Sequence, residues 1–223
     1  MTAVIGEILP LALGVAISPI PIIAAILMLL SPKARVTSVG FLLGWVLGII
    51  VAVTVFTLLS SVLPESDADA SKPIQGTVKL LLGGGLLVLA LGQWRKRPKT
   101  GAEPVLPQWM QAIDKVSFPL ALGLGFLLSA VNPKNLLMAA AAGVDIGDAA
   151  LSGGETAVVI ALYALIAAST VLIPVIGYLI AADRLRGPLD ALRVWLAKEN
   201  AVIMAVVLLL IGVTLIGKGI ASF

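Results

Sequence analysis

Apolar residues run along this chain in six long blocks, which are separated by short polar connections. Each block approaches or exceeds the roughly 20 apolar residues that an α-helix needs to cross the hydrocarbon layer of a bilayer. The pattern predicts an all-α integral membrane protein with six transmembrane helices, at residues 5–30, 36–63, 77–94, 118–144, 157–182 and 201–220.

The sign of the charge alternates between successive connections and indicates how the helices are oriented. Short loops that are rich in Lys and Arg stay on the cytoplasmic side of the membrane. The first, third and fifth connections are basic, with Lys33, Arg35, Arg95, Lys96, Arg97, Lys99, Arg184, Arg186 and Arg193. The other two are acidic, with Glu65, Asp67, Asp69, Asp145, Asp148 and Glu155. We expect a multi-pass protein of the cytoplasmic (inner) membrane with both termini outside.

Composition supports a membrane protein and excludes several function classes. Of the 223 residues, 60% are hydrophobic and only 12% are charged, whereas soluble domains have about a quarter charged residues. The net charge of +3 comes from the loops, so we expect no nucleic-acid partner. Cys and His are absent, which excludes disulfides, thiolate chemistry and imidazole ligands. No catalytic or nucleotide-binding motif is visible, so we expect no enzyme, no metal and no cofactor.

A polar linker at residues 95–117 divides the chain into two halves, at residues 1–94 and 118–223. The first helix of each half carries glycines, then a polar residue, then proline, as in Ser18-Pro19 and Asn132-Pro133. Because one half begins outside and the other inside, this likeness predicts two inverted-topology three-helix repeats, which are typical of transporters. Residues 107–116 and 189–199 have helical spacing of apolar residues and are interpreted as short interfacial helices.

Prolines predict breaks in the first and fourth helices at membrane depth. Pro19, Pro21 and Pro133 each remove a backbone hydrogen bond and clash with the preceding turn. In lipid, the freed backbone groups are tolerated only where they face protein or a wet cavity. The expected substrate-binding and translocation residues are therefore Ser18, Pro19, Pro21, Asn132, Pro133, Lys134 and Asn135. The alternative is that these prolines only bend their helices.

Lys134 is the least expected residue in these apolar blocks, because an ammonium group there must be paired, hydrated or able to reach the interface. Glu7 falls in the same half of the bilayer, so a Glu7–Lys134 ion pair is our hypothesis, and it adds Glu7 to the candidate site. The alternative is that Lys134 extends to the headgroups. Lys79 and Lys218 are expected to do so.

Two further features carry weaker expectations. Asp145, Asp148 and Glu155 are interpreted as a solvated outer loop, with a cation site as the alternative. Gly40, Gly44 and Gly48 lie four residues apart, a spacing that lets helices approach closely.

Several stretches resemble the glycopeptidolipid- and sulfolipid-addressing (GAP/Sap) family. They are residues 10–35, Gly44-Trp-Val-Leu-Gly48, Leu128-Ser-Ala-Val-Asn-Pro-Lys-Asn135 and the end of the chain from Trp195 to Gly219. The Asn-Pro-Lys element also resembles the lysine-exporter (LysE) superfamily of six-helix exporters.

This resemblance implies a secondary exporter, or a flippase-like protein, that moves a cell-envelope lipid, a glycolipid or its precursor. It also implies that Pro19 and Pro21 in one half, and Asn132 to Asn135 in the other, carry the family's motif. Two alternatives remain: a LysE-type exporter of an amino acid or inorganic ion, and a membrane scaffold that recruits envelope-assembly proteins without transport. The expected partners are membrane lipids and the substrate, and a homo-oligomer is left open.

Overall fold

The computed structural model describes residues 1–60, 73–97 and 116–223. These ranges are helical almost throughout, which confirms the all-α class. The helices are α1 (Thr2–Ala16), α2 (Pro19–Leu30), α3 (Ala34–Ser60), α4 (Pro73–Arg95), α5 (Phe118–Ala130), α6 (Pro133–Gly147) and α7 (Gly153–Ile220). The acidic loop at 65–69, most of the linker, and all but the last residue of the interfacial helix expected at 107–116 lie outside the described residues.

The breaks predicted at Pro19 and Pro133 are present. The axes of α1 and α2 differ by 53°, and those of α5 and α6 by 61°. In both cases proline is the first residue of the second helix, where its missing N–H is not needed and its fixed φ favours the helical turn. Each bent pair is therefore a broken helix.

The described helices are consistent with a membrane protein. Three of them are long and apolar enough to cross a bilayer alone, and counting each bent pair as one span gives five. Large apolar side chains cover the outside, including Leu81, Val88 and Ile180, which are 71%, 69% and 81% exposed. Such a surface is suited to lipid rather than to water.

Helix α7 has 68 residues, and at 1.5 Å per residue it would be about 100 Å long if straight, far more than the roughly 30 Å hydrocarbon core. Its backbone leaves the helical conformation at Ala181, with φ −140° and ψ 53°. We call residues 153–180 α7a and residues 182–220 α7b. The segment 189–199 is part of continuous α7b, not the separate interfacial helix expected, because no helix-breaking conformation separates it from residues 200–220.

Glycines bring two pairs of helices into close contact, as expected for Gly40, Gly44 and Gly48. A Cβ on Gly44 would collide with the backbone of Leu122 in α5. The α4–α7b pair packs in the same way, since a Cβ on Gly83 would lie 2.9 Å from the carbonyl oxygen of Gly212. Small residues at these positions let backbones meet directly, so the contacts fix where the broken helices sit in the bundle.

The two ends of the bundle differ in charge. Lys33, Arg35 and Arg186 line one surface at the α2–α3 turn, and α4 ends at Arg95. We call this the basic end. The opposite end holds the first residues of α1 and the last residues of α6 and α7b, and we call it the far end.

A polar cavity between two broken helices

At the break in the first helix, side chains that are distant in sequence donate hydrogen bonds to backbone carbonyls. In an unbroken helix the Gly14 carbonyl would accept from the N–H of Ser18, but that N–H donates to Ala16 instead, at 2.8 Å. The Lys134 ammonium donates to the Gly14 carbonyl oxygen at 2.7 Å. The hydroxyl of Thr170 in α7a donates to the Ala16 carbonyl oxygen at 2.6 Å. Side chains from the second half of the chain therefore stabilise the break in the first half.

The second break is satisfied locally. Asn132 is the N-cap of α6, and its side-chain oxygen accepts from the Lys134 N–H at 3.1 Å. The Asn135 side-chain amide donates to the Leu128 carbonyl oxygen at 3.0 Å. Asn135 is buried, so this donor takes the place that water would otherwise take.

The two capped carbonyls occupy corresponding positions. Gly14 lies five residues before Pro19, and Leu128 lies five residues before Pro133. Lys134 and Asn135 are adjacent in sequence, and each donates to one of these carbonyls. A single Asn-Pro-Lys-Asn element thus supplies one side-chain donor to each broken helix. Any movement of this element must change the hydrogen bonds at both breaks.

A cavity of about 180 Å³ lies between the two breaks. Its polar lining consists of Ser18, Gln93, Asn132, Lys134 and Asn200, and its apolar lining includes Leu89, Met204 and Leu208. Gln93 lies two residues before Arg95, so the cavity extends from the breaks towards the basic end. The Asn200 side-chain oxygen is buried and has no hydrogen-bond partner among the described residues, which leaves it available to a ligand.

Comparison with family models identifies the chain's relatives. The model of the family described as "Sap, sulfolipid-1-addressing protein" matches residues 8–221, nearly the whole chain. The chain belongs to this family. Searches of curated proteins and of solved structures each found no match.

Four residues that the sequence placed at the site of this Sap-family chain do line the cavity: Ser18, Asn132, Pro133 and Lys134. Pro19 and Pro21 are buried in the first turn of α2, where they make the break, and Asn135 faces the second break. Glu7 lies elsewhere, near the far end. The structure therefore brings both motif segments to one cavity, and the role of each residue in transport stays a prediction.

Sequence reasoning missed three polar residues at this site: Gln93, Thr170 and Asn200. Gln93 closes the third apolar block and Asn200 directly precedes the sixth, so each resembles an ordinary boundary residue. Thr170 lies inside the fifth block, where its hydroxyl could have bonded within its own helix. The signal that could have identified them was the occurrence of polar residues within or directly beside several different apolar blocks.

The predicted Glu7–Lys134 ion pair is wrong. Lys134 is only 3% exposed and donates to Gly14, whereas the Glu7 carboxylate lies 3.8 Å from the Lys218 ammonium. The reason is the position of the break. It places a carbonyl oxygen directly in front of Lys134, and this acceptor, unlike a carboxylate, adds no second charge to the membrane interior.

A buried charge cluster lies at the far end instead. The Asp145 side chain is inaccessible to solvent, and its two oxygens lie 3.0 Å from the Lys79 ammonium and 3.1 Å from the Lys218 ammonium. Asp145 is therefore not in a solvated loop, and Lys79 and Lys218 do not simply extend to the interface. The cluster connects α4, α6 and α7b, and Lys218 extends it to Glu7 in α1.

Proposed function

We propose that this protein is a secondary transporter that moves an anionic cell-envelope lipid, or its precursor, out of the cytoplasmic membrane. The observation that carries the proposal is the cavity between the two broken helices. The family name supports a role in handling envelope lipids, since it refers to the addressing of a sulfolipid. A site built from broken helices is characteristic of secondary transporters.

The chemistry of the cavity favours an anionic group. The N-termini of α2 and α6 both face it, through Ser18 and Asn132, and helix N-termini carry partial positive charge. In its protonated form Lys134 adds a positive charge and has two further N–H donors besides the one that binds Gly14. A sulfate, phosphate or carboxylate in the cavity would interact favourably with all three.

The size of the cavity limits what it encloses. At about 180 Å³ the cavity is smaller than the roughly 300–1,000 Å³ of pockets that enclose drug-sized ligands, so it has room for one anionic group rather than for a glycolipid headgroup with several sugars. This observation also favours the second candidate function, export of a small solute such as an amino acid or an inorganic ion. The relationship to the LysE superfamily belongs to that candidate and stays a prediction.

For the membrane topology we propose six spans, with α1–α2 and α5–α6 each forming one span and α7 forming two. The halves 1–94 and 118–223 would then be inverted repeats, with the basic end in the cytoplasm and both termini outside. Lys and Arg at the basic end support this orientation. The conformation in hand would be the inward-facing one, since the cavity extends towards the basic end and the Asp145 cluster lies at the other.

Reconstitution of the purified protein tests the proposal. Liposomes would contain a fluorescent phosphatidic acid, a fluorescent phosphatidylcholine or an enclosed amino acid, and the transfer of each across the bilayer would be measured with and without an ion gradient. The proposal expects transfer of phosphatidic acid well above protein-free liposomes and above phosphatidylcholine. Amino acid flux alone would favour the second candidate. No flux of any probe would contradict transport and favour the scaffold.

A further inference from the structure

An apolar groove lies on the outer side of the same two helices that wall the cavity. It has a volume of about 350 Å³ and lies between α4 and α7b. Its lining includes Leu91 and Trp94 from α4 and Val206 and Leu209 from α7b, which are 45–60% exposed. Every residue that lines it is apolar.

The groove and the cavity lie at the same depth, on opposite sides of one helix–helix seam. Along α4, Leu89 and Gln93 line the cavity, whereas Ala90 and Trp94 line the groove. Along α7b, Met204 and Leu208 line the cavity, whereas the next residues, Ala205 and Leu209, line the groove. A ligand in one compartment is therefore separated from the other only by the seam.

The seam has direct backbone contacts towards the far end and borders the groove towards the basic end. Glycines hold the far half together, since a Cβ on Gly83 would press on Gly212 and a Cβ on Gly76 would lie 3.0 Å from the Gly219 carbonyl oxygen. In the other half the outer faces of the two helices leave the groove between them, and Ala90 and Ala205 line it. Separation at the groove therefore breaks fewer close backbone contacts than separation at the glycines.

We infer that the seam between α4 and α7b is a lateral portal, at which an anionic membrane lipid binds with its headgroup in the cavity and an acyl chain in the groove. The inference rests on the proposed function and specifies its substrate path. It also explains how a lipid can bind although the cavity is small, since only the anionic group has to enter the cavity. The positive cavity selects the head, and the apolar groove receives the chain without removing it from apolar surroundings.

The natural absence of cysteine allows a direct test of binding without transport. A bimane fluorophore is attached at Leu91→Cys in the groove, or at Leu165→Cys, a matched control that is 57% exposed compared with 60% for Leu91. The protein is reconstituted in phosphatidylcholine vesicles that contain a small fraction of lipid with brominated acyl chains, either phosphatidic acid or phosphatidylcholine. Bromine quenches bimane on contact, so quenching reports which chain occupies the groove.

At Leu91→Cys we expect brominated phosphatidic acid to be preferred about tenfold over brominated phosphatidylcholine, the ratio that one charge-assisted hydrogen bond supplies. At Leu165→Cys we expect no preference. Adding Lys134→Gln should remove the preference at the groove, and Lys134→Arg should retain it. If Lys134→Gln does not fold, Gln93→Leu is the second cavity variant and should weaken the preference.

Two results would overturn the inference. They are equal quenching by both lipids at Leu91→Cys and a preference that survives Lys134→Gln. In the second case, loss of the preference in Arg97→Gln would place the headgroup at the interfacial arginines, where Arg97 lies 4.3 Å from the Trp94 ring. Because the measurement needs no flux, lipid transfer without this preference would refute the portal alone. The preference without lipid transfer would refute the proposed function alone.

Discussion

Replacing Lys134 with methionine separates its structural contribution from its proposed role in substrate binding. The substitution keeps an unbranched side chain that is one heavy atom shorter, and it removes the amino group. It removes the ammonium–Gly14 hydrogen bond, which at about 1.5–3 kcal/mol for a charged donor would lower stability. It also removes an ammonium group from the membrane interior, a gain of about 2.5–3.5 kcal/mol on insertion scales. We therefore expect the free energy of unfolding to stay unchanged or to rise by up to about 2 kcal/mol.

Thr170→Val is the matched control at the same break. It removes a neutral hydrogen bond to Ala16, whose carbonyl still accepts from the Ser18 N–H. We expect the free energy of unfolding to fall by about 0.5–1.5 kcal/mol. Thr170→Val should therefore destabilise the protein more than Lys134→Met. Transport should show the opposite order, with Lys134→Met reducing lipid transfer about tenfold or more, as expected for one lost charged contact.

Both quantities can be measured on purified protein, with reversible unfolding in mixed micelles followed by tryptophan fluorescence and with lipid transfer in liposomes. A loss of stability of about 3 kcal/mol or more in Lys134→Met would show that its hydrogen bond outweighs its desolvation, against the balance argued above. Normal transfer in both Lys134→Met and Lys134→Arg would remove Lys134 from the mechanism.

Three further substitutions test the rest of the structure by the same unfolding measurement. Asp145→Asn leaves two lysines without their buried counter-charge and should lower the free energy of unfolding by about 3 kcal/mol. Adding Lys79→Met should recover part of this loss. A loss near zero would mean that the cluster is solvated. Gly44→Ala should lower the free energy of unfolding by about 1–3 kcal/mol because the new Cβ meets Leu122. Gly84→Ala is the control, and with open space around it the substitution should be neutral or stabilising by up to about 1 kcal/mol. Equal effects of the two substitutions would contradict the α3–α5 contact. Asn135→Leu removes the donor to Leu128 and should cost about 1–3 kcal/mol, and an unchanged free energy of unfolding would show that this carbonyl finds another donor.

The broken helices could be predicted from sequence because they follow from local chemistry. Pro19 and Pro133 have no N–H wherever they are placed, so each favours a break or a bend before any tertiary contact is known. Proline alone does not decide the matter, since Pro10 and Pro174 lie inside helices that continue through them. Close packing of α3 was predictable for a similar reason, since the spacing of Gly40, Gly44 and Gly48 creates a face without side chains, although the sequence did not identify α5 as its partner.

The partners of the freed groups could not be predicted in this way. Lys134 and Gly14 are 120 residues apart, and their contact depends on how α6 packs against α1. The same holds for Asp145, which reads as a loop residue from its place at the end of an apolar block. The structure extends α6 to Gly147 and turns Asp145 towards α4 and α7b. In both cases the charge was visible in the sequence, and only the tertiary packing determined its partner.

The central claim is that the substrate passes through the cavity. Chemical blocking of the cavity at a single introduced thiol, during transport, tests this claim most directly. Gln93→Cys places one thiol in the cavity of a chain that has no other, at a partly exposed position outside both breaks. Transfer of phosphatidic acid would be measured in the same liposomes before and after reaction with a charged, membrane-impermeant thiol reagent, with the cysteine-free chain as control. We predict that transfer stays measurable before the reaction, falls to the level of protein-free liposomes after it, and is unaffected by the reagent in the control. Full transfer after complete modification would contradict a path through this cavity.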